Sequence, residues 1–183
     1  MQAMASAGTG DTAASAPVAL KAVDDSWPLY GRLRLADGRD VGAPPAGAVW
    51  LSEGTAERLD VKPGDPVAIG GQPLTVGGII ADDPEQLGEG FALGASAVVR
   101  ADMPAQAGLT APGAMYRTKL RVALAPGQSP DTAVERIKAQ FPDAGFTFRT
   151  RDKAAPGAER FVSRMGDFLV LVGLAALVVA GIG

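Results

Sequence analysis

Two kinds of side chain that ordinarily do chemistry are missing from this 183-residue chain: it has no histidine and no cysteine. Without imidazole or thiol, Ser-His-Asp and Cys-His triads are impossible, and so are the usual zinc sites. Catalysis would have to run on carboxylates, lysine, tyrosine or a bound cofactor. Paired carboxylates do occur, at Asp24-Asp25 and Asp82-Asp83, the raw material of a carboxylate-based hydrolase. Each pair sits beside a proline-bearing turn, where aspartate bonds nearby backbone amides, so both read as solvated turn formers. "GEGFALG" (88–94) has three glycines at the wrong spacing for a dinucleotide fingerprint and no strand-to-helix context. "GxxxxGKS/T", "SxxK" and "GxSxG" are all absent, so the chain holds no ATP by a P-loop and carries no serine-nucleophile signature. Trp27 and Trp50 read as core or interface aromatics. The expectation is no catalytic residue, no cofactor and no metal site. A net charge of −3 also argues against nucleic acid, which needs a basic footprint to displace counterions from phosphates.

The elements around these residues alternate strands with short helices. "PVALKAVD" (17–24) reads as a strand, with "MQAMA" as its hairpin partner across a loop of small residues. "YGRLRLADGRDVG" (30–42) alternates Leu33 and Leu35 with Arg32 and Arg34, a half-exposed strand and hairpin. "AVWL" (48–51) is a short strand, and Ser52 stands where an N-cap would, before "EGTAERLDV". After the "KPGD" turn, "PVAIGGQPLTVGGIIAD" (66–82) is a strand, a "GG" turn and a second strand. "ASAVVRADMPAQAGL" is a strand running into a helical turn. "MYRTKLRVAL" (115–124) sets Tyr116, Leu120, Val122 and Leu124 against Arg117, Lys119 and Arg121, predicting a long strand with one wet face. "SPDTAVERIKAQF" (129–141) is a helix capped by Ser129, with Pro130 at its first position, and "GFTFRT" is a final strand. The class is α+β: a small mixed or antiparallel β-rich domain with short helices, followed by a long C-terminal helix that enters the membrane.

That last helix rests on "FLVLVGLAALVVAGIG" (168–183), sixteen residues without a charge. As a helix they would rise about 24 Å, somewhat short of the roughly 30 Å core of a bilayer. The competing reading is a buried core helix; four turns with no polar residue favour the membrane. The span would be carried by Phe168, Leu169, Val170, Leu171, Val172, Gly173, Leu174, Leu177, Val178, Val179 and Ile182. Arg149, Arg151, Lys153, Arg160 and Arg164 precede it, which the positive-inside rule would place in the cytoplasm. Large translocated domains escape that rule, so charge alone leaves the side open.

Several pieces in order carry a resemblance: "LKAVDDSWPLYGRLRL", "PAGAVWLSEGTAERLDVKPGDPVAIGGQPLTVGGIIADDPE", "MYRTKLRVAL" and "AERFVSRMGDFLVLVGLAALVVAGIG". Together they resemble FtsX/MacB-like permeases of ABC transporters, the YbbP type in particular. The resemblance implies a fragment. Residues 1–153 would be a MacB-like periplasmic core domain lacking its N-terminal part, and 157–183 a helix leading into a truncated membrane segment at about 168–183. It implies a non-enzymatic permease in the bacterial inner membrane, with residues 1–153 periplasmic. The permease would couple a separate ABC-type ATPase subunit to movement of the outer domain, for export or extraction of hydrophobic or lipid-like substrates. The lipid bilayer and a second permease copy would be further partners. Glu159, Arg160, Phe161 and Arg164 would lie on the helix that couples domain to membrane. The alternative is a membrane-anchored extracytoplasmic binding or scaffold module.

Overall fold

Alternation of inward and outward side chains along each strand builds the core. In the computed structural model, which describes residues 1–9, 13–83, 95–150 and 165, eight strands share one sheet. β1 (Gln2–Ala7) and β2 (Ala14–Val23) run antiparallel, with Gln2 opposite Ala19. β3 (Leu33–Leu35) and β4 (Asp40–Val41) form the short hairpin that "ADG" predicts. β5 (Ala48–Ser52) leads directly into α1 (Glu53–Leu59). β6 (Pro66–Ile69) and β7 (Gln72–Asp82) are the hairpin expected at 66–82; Gly70 and Gly71 both take positive φ, as a two-residue turn of this hand requires. β8 (Ser96–Arg100) runs into α2 (Met103–Gln106).

The strand order is β4-β3-β7-β5-β8-β2-β1-β6, and β6 pairs back onto β7. Six strands therefore close a ring, which removes the exposed edges an open sheet would carry. Pairing is mixed: β2–β8 and β5–β7 are parallel, the others antiparallel. Every second residue of the ring points inward: Ala5, Val18, Leu20, Val49, Leu51, Val67, Ile69, Leu74, Val76, Ala97 and Val99. Each such valine, leucine or isoleucine contributes roughly 1.5–3 kcal/mol by leaving water. Leu59 from α1 and Met103 from α2 join the same core.

β7 pairs with β6 through its first half and with β3 through its second, while β5 lies along its other side. A register shift opposite Val49/Trp50 inserts Gly77 as an extra residue. The bulge reverses which face looks inward: Leu74 and Val76 before it and Ile79 after it join the inner core, whereas Ile80 faces out. Outside the ring lies a second core of Val23, Leu33, Leu35, Trp50, Ile80 and Val98, onto which β3 and β4 fold.

Residues 1–121 and 122–183 are separate units. In the second, α3 (Pro130–Gln140) starts at Ser129 with Pro130 in its first turn, as expected, but buries none of its residues. Phe141, Phe146 and Phe148 stack edge to face, their centroids 6.3 and 6.1 Å apart. Two strand expectations fail. Residues 115–124 and 145–150 are not strands, because a strand exists only beside a neighbour and none of the eight strands pairs with either. Ser52 and Ser129 occupy N-cap positions without capping their helices. The described residues form a β-rich domain with few short helices; the long C-terminal helix, expected over 157–183, lies outside them apart from Met165.

Candidate functional site

Glu159, Arg160, Phe161 and Arg164, and the apolar stretch from Phe168 to Ile182, lie outside the described residues. Met165, between the two groups, is helical and exposed. Among the described residues no helix is long and apolar enough to cross a membrane.

The carboxylate pairs can be followed atom by atom. Asp24 Oδ1 accepts hydrogen bonds from the Ser26 amide (3.0 Å) and the Ser26 hydroxyl (2.6 Å), closing the turn expected there. The Ser26 hydroxyl, then its amide, holds the Asp24 carboxyl below its ordinary pKa. Asp25 lies 2.9 Å from Arg100 at the end of β8. Asp83 sits 3.7 Å from the Lys21 ammonium, which also stands 4.8 Å from the centre of the Trp27 ring. Asp82 ends β7 opposite Arg34. Each pair thus divides its charges between a turn or strand end and a cation from another element. That arrangement ties loops to the barrel. Sequence spacing offered no signal for Lys21–Asp83 or Asp25–Arg100, whose members are far apart in the chain; the second is brought together by the pairing of β2 with β8. Among the described residues no group of three acidic, histidine or cysteine side chains gathers as metal ligands would.

A shallow hollow of about 230 Å³ opens between Pro28, Gly31, Arg32, Asp40, Val41 and Gly42. Its charged groups are already engaged: Arg34 Nε donates to Asp40 Oδ1 at 3.0 Å, and Arg32 approaches Asp40 at 4.0 Å. The Arg34 hydrogen bond lowers the Asp40 pKa, and Asp40 in turn raises that of Arg34. Asp37 is lowered in the same way by the Arg39 amide and then its side chain.

Ser52 has a different task from the capping expected of it. Its hydroxyl meets Thr55 Oγ1 at 2.8 Å and accepts the Ser96 amide at 3.0 Å, while Thr55 Oγ1 donates to the Ser96 carbonyl at 3.2 Å. Thr55, fully buried, thereby pins α1 to β8. Beyond the barrel strands, Met115 (94% exposed) and Leu120 (86%) hold apolar side chains in solvent beside Arg117.

Comparison with known proteins places this geometry in context. The family model of the MacB-like periplasmic core domain matches residues 2–140. No curated protein matches the chain. Among solved structures, the extracellular domain of a noncanonic ABC-type transporter, YknZ, from Gram-positive bacteria is similar at 19% identity with a TM-score of 0.42. The match covers 58% of this chain and 53% of that one, so the chain spans about half the length of that structure.

Proposed function

The chain belongs to the MacB-like periplasmic core domain family, and from that membership we propose that it is the extracytoplasmic part of the permease subunit of an ABC transporter. The family match over residues 2–140 carries this reading. Residues 1–153 are the domain outside the membrane, and 157–183 form a helix that brings the chain into the bilayer at about residue 168. A separate ATPase on the cytoplasmic side hydrolyses ATP, and the permease turns its closure into movement of the outer domain. A helix can carry such movement through lipid because its backbone hydrogen bonds are satisfied internally at every depth. Glu159, Arg160, Phe161 and Arg164 are the residues at the junction. Hydrophobic or lipid-like molecules are the proposed cargo, with the outer domain acting on them from outside the bilayer.

The test is made in bacterial cells with the complete permease polypeptide that contains residues 1–183. A periplasm-dependent phosphatase fused after residue 150 is expected to be active, and the protein to stay in membranes washed with alkaline carbonate. An ATPase subunit is expected to co-purify, and its ATP turnover to change when Arg160 and Arg164 are both replaced by alanine. An inactive fusion, or release by carbonate, overturns the reading. Membrane retention with no ATPase bound would leave an anchored binding or scaffold module instead.

A further inference from the structure

Residues 115–121, Met-Tyr-Arg-Thr-Lys-Leu-Arg, pair with none of the eight described strands, and all seven are exposed. A turn precedes them, in which the Ala114 amide donates to the Ala111 carbonyl at 2.9 Å. Another follows, in which the Gln128 amide donates to the Ala125 carbonyl at 3.1 Å. Met115, Tyr116 and Leu120 stand more than half in solvent, and none of the three joins either apolar core. One exposed leucine on a surface is ordinary; three large apolar side chains within six residues mark a surface that meets something.

Charge says what that is. No acidic residue occurs between Asp102 and Asp131, and the exposed stretch contributes Arg117, Lys119 and Arg121. Residues 1–114, by contrast, carry seven basic and fourteen acidic side chains, a net charge of −7. Several of those cations are already bound: Arg34 to Asp40, Arg39 to Asp37 and Arg100 to Asp25. An anionic surface therefore repels the barrel and attracts residues 115–121.

Apolar and cationic side chains interleaved in one exposed stretch suit a lipid–water boundary. There the apolar groups leave water, tyrosine settles at headgroup level, and long arginine and lysine stems bend back to the phosphates. Water persists at that depth, so backbone groups outside any strand keep hydrogen-bond partners that the hydrocarbon core would deny them. A partner strand fits less well: it would need an acid opposite each cation, whereas a bilayer offers phosphates at any register.

We propose that residues 115–121 dock the domain on the surface of an anionic bilayer. Met115, Tyr116 and Leu120 enter the headgroup boundary, and Arg117, Lys119 and Arg121 lie against lipid phosphates. The contact goes beyond the transport reading, needs no ATPase, and shares with it only the bilayer.

The chain has no cysteine, so Leu120→Cys supplies a single labelling site. The full 183-residue chain, carrying a fluorophore at position 120, is mixed with vesicles that contain a spin-labelled lipid as quencher. One set is phosphatidylcholine alone and the other includes phosphatidylglycerol. The label is expected to be quenched on the anionic vesicles, to stay bright on the neutral ones, and to recover when salt is raised. Arg117→Gln is expected to weaken the docking equilibrium about fivefold, from the roughly 1 kcal/mol that a cation contributes near an anionic surface. A label placed by Met4→Cys, exposed on β1 among uncharged Gln2, Ser6 and Pro17, is expected to stay bright throughout. A position-120 label equally bright, or equally quenched, on both vesicle types overturns the proposal, and leaves the membrane anchor standing if the chain remains vesicle-bound. Shielding of that label with no vesicles present overturns it as well, because this chain or a second copy then covers the segment. Quenching on anionic vesicles from which alkaline carbonate strips the chain supports the docking and refutes the anchor.

Discussion

Trp27 and Trp50 are the same residue type in two hydrogen-bonding situations. Trp50 Nε1 donates to the Gly42 carbonyl at 2.9 Å, whereas buried Trp27 Nε1 has no partner. An unmade bond to a buried donor costs more than a made one contributes. Trp50→Phe is therefore expected to cost about 1 kcal/mol more than Trp27→Phe, read from urea unfolding midpoints; equal losses would contradict the assignment. Charges at this scale predict the pH dependence. The carboxyls of Asp24, Asp37 and Asp40 are held below their ordinary pKa, chiefly by the Ser26 hydroxyl, the Arg39 amide and the Arg34 guanidinium respectively. A carboxyl depressed by folding stabilises the fold above its unfolded pKa, near 3.9, and loses that contribution as pH falls through the folded value. With no histidine in the chain, no side chain of ordinary pKa titrates between about pH 5 and 8. Urea midpoints are expected to be flat from pH 7 to 5 and to drop below about pH 4, less steeply in Asp24→Asn. A fall between pH 7 and 5 would refute this.

At the level of elements, the bulge in β7 depends on two adjacent glycines. A Cβ on Gly77 would run into the Trp50 ring, and one on Gly78 would lie 2.6 Å from Leu35 Cδ1. Gly54, in α1, has open space around it and no positive φ. Gly77→Ala is expected to destabilise by about 1–3 kcal/mol through overpacking, and Gly54→Ala to stabilise by roughly 0.5–1 kcal/mol through helix propensity. Thermal melts of the two variants should move in opposite directions. The hairpin at 66–82 was legible because both its signals are local: alternation on either side and a "GG" turn between. The bulge was not, since "VGG" inside a strand does not tell that a tryptophan from β5 will cross it. Closure of the ring was equally hidden, as it depends on β6 meeting β1. The reading of 115–124 as a strand went wrong for a related reason: alternation describes the two faces a strand would have, not whether a neighbour exists. Leu120→Ser is expected to change stability by less than about 0.5 kcal/mol, as for other exposed positions. A loss comparable to that of a core leucine would show that the segment is paired after all. Of the candidate site, the turn role of Asp24 was legible from "DDSWP" because Ser26 lies two residues away; the partner of Asp25 was not, because Arg100 arrives with β8.

For the whole molecule, the unit boundary at Arg121 and the family match ending at residue 140 divide the chain differently. Every strand of the closed ring is complete by Arg100, α2 adds Met103 to its core, and Leu109 packs over Gly70 where the β6–β7 hairpin turns. Among the described residues, nothing in the inner core comes from beyond that point. A chain of this length can bury a core of its own, since domains of about 100–150 residues are the commonest size. Residues 1–121 alone are therefore expected to fold, with a strand-dominated far-ultraviolet spectrum and one cooperative thermal transition. Its midpoint should fall within about 5 °C of the barrel transition in the full chain, a difference equivalent to about 1 kcal/mol in a domain this size. The family relationship spans more than this folding unit, because residues 122–140, with α3, belong to the matched domain. Removing them should thus spare the barrel and abolish the coupling proposed for the permease. A fragment 1–121 that lacks a cooperative transition would mean that the barrel needs α3 or residues C-terminal to it, and that the domain is one folding unit as well as one family.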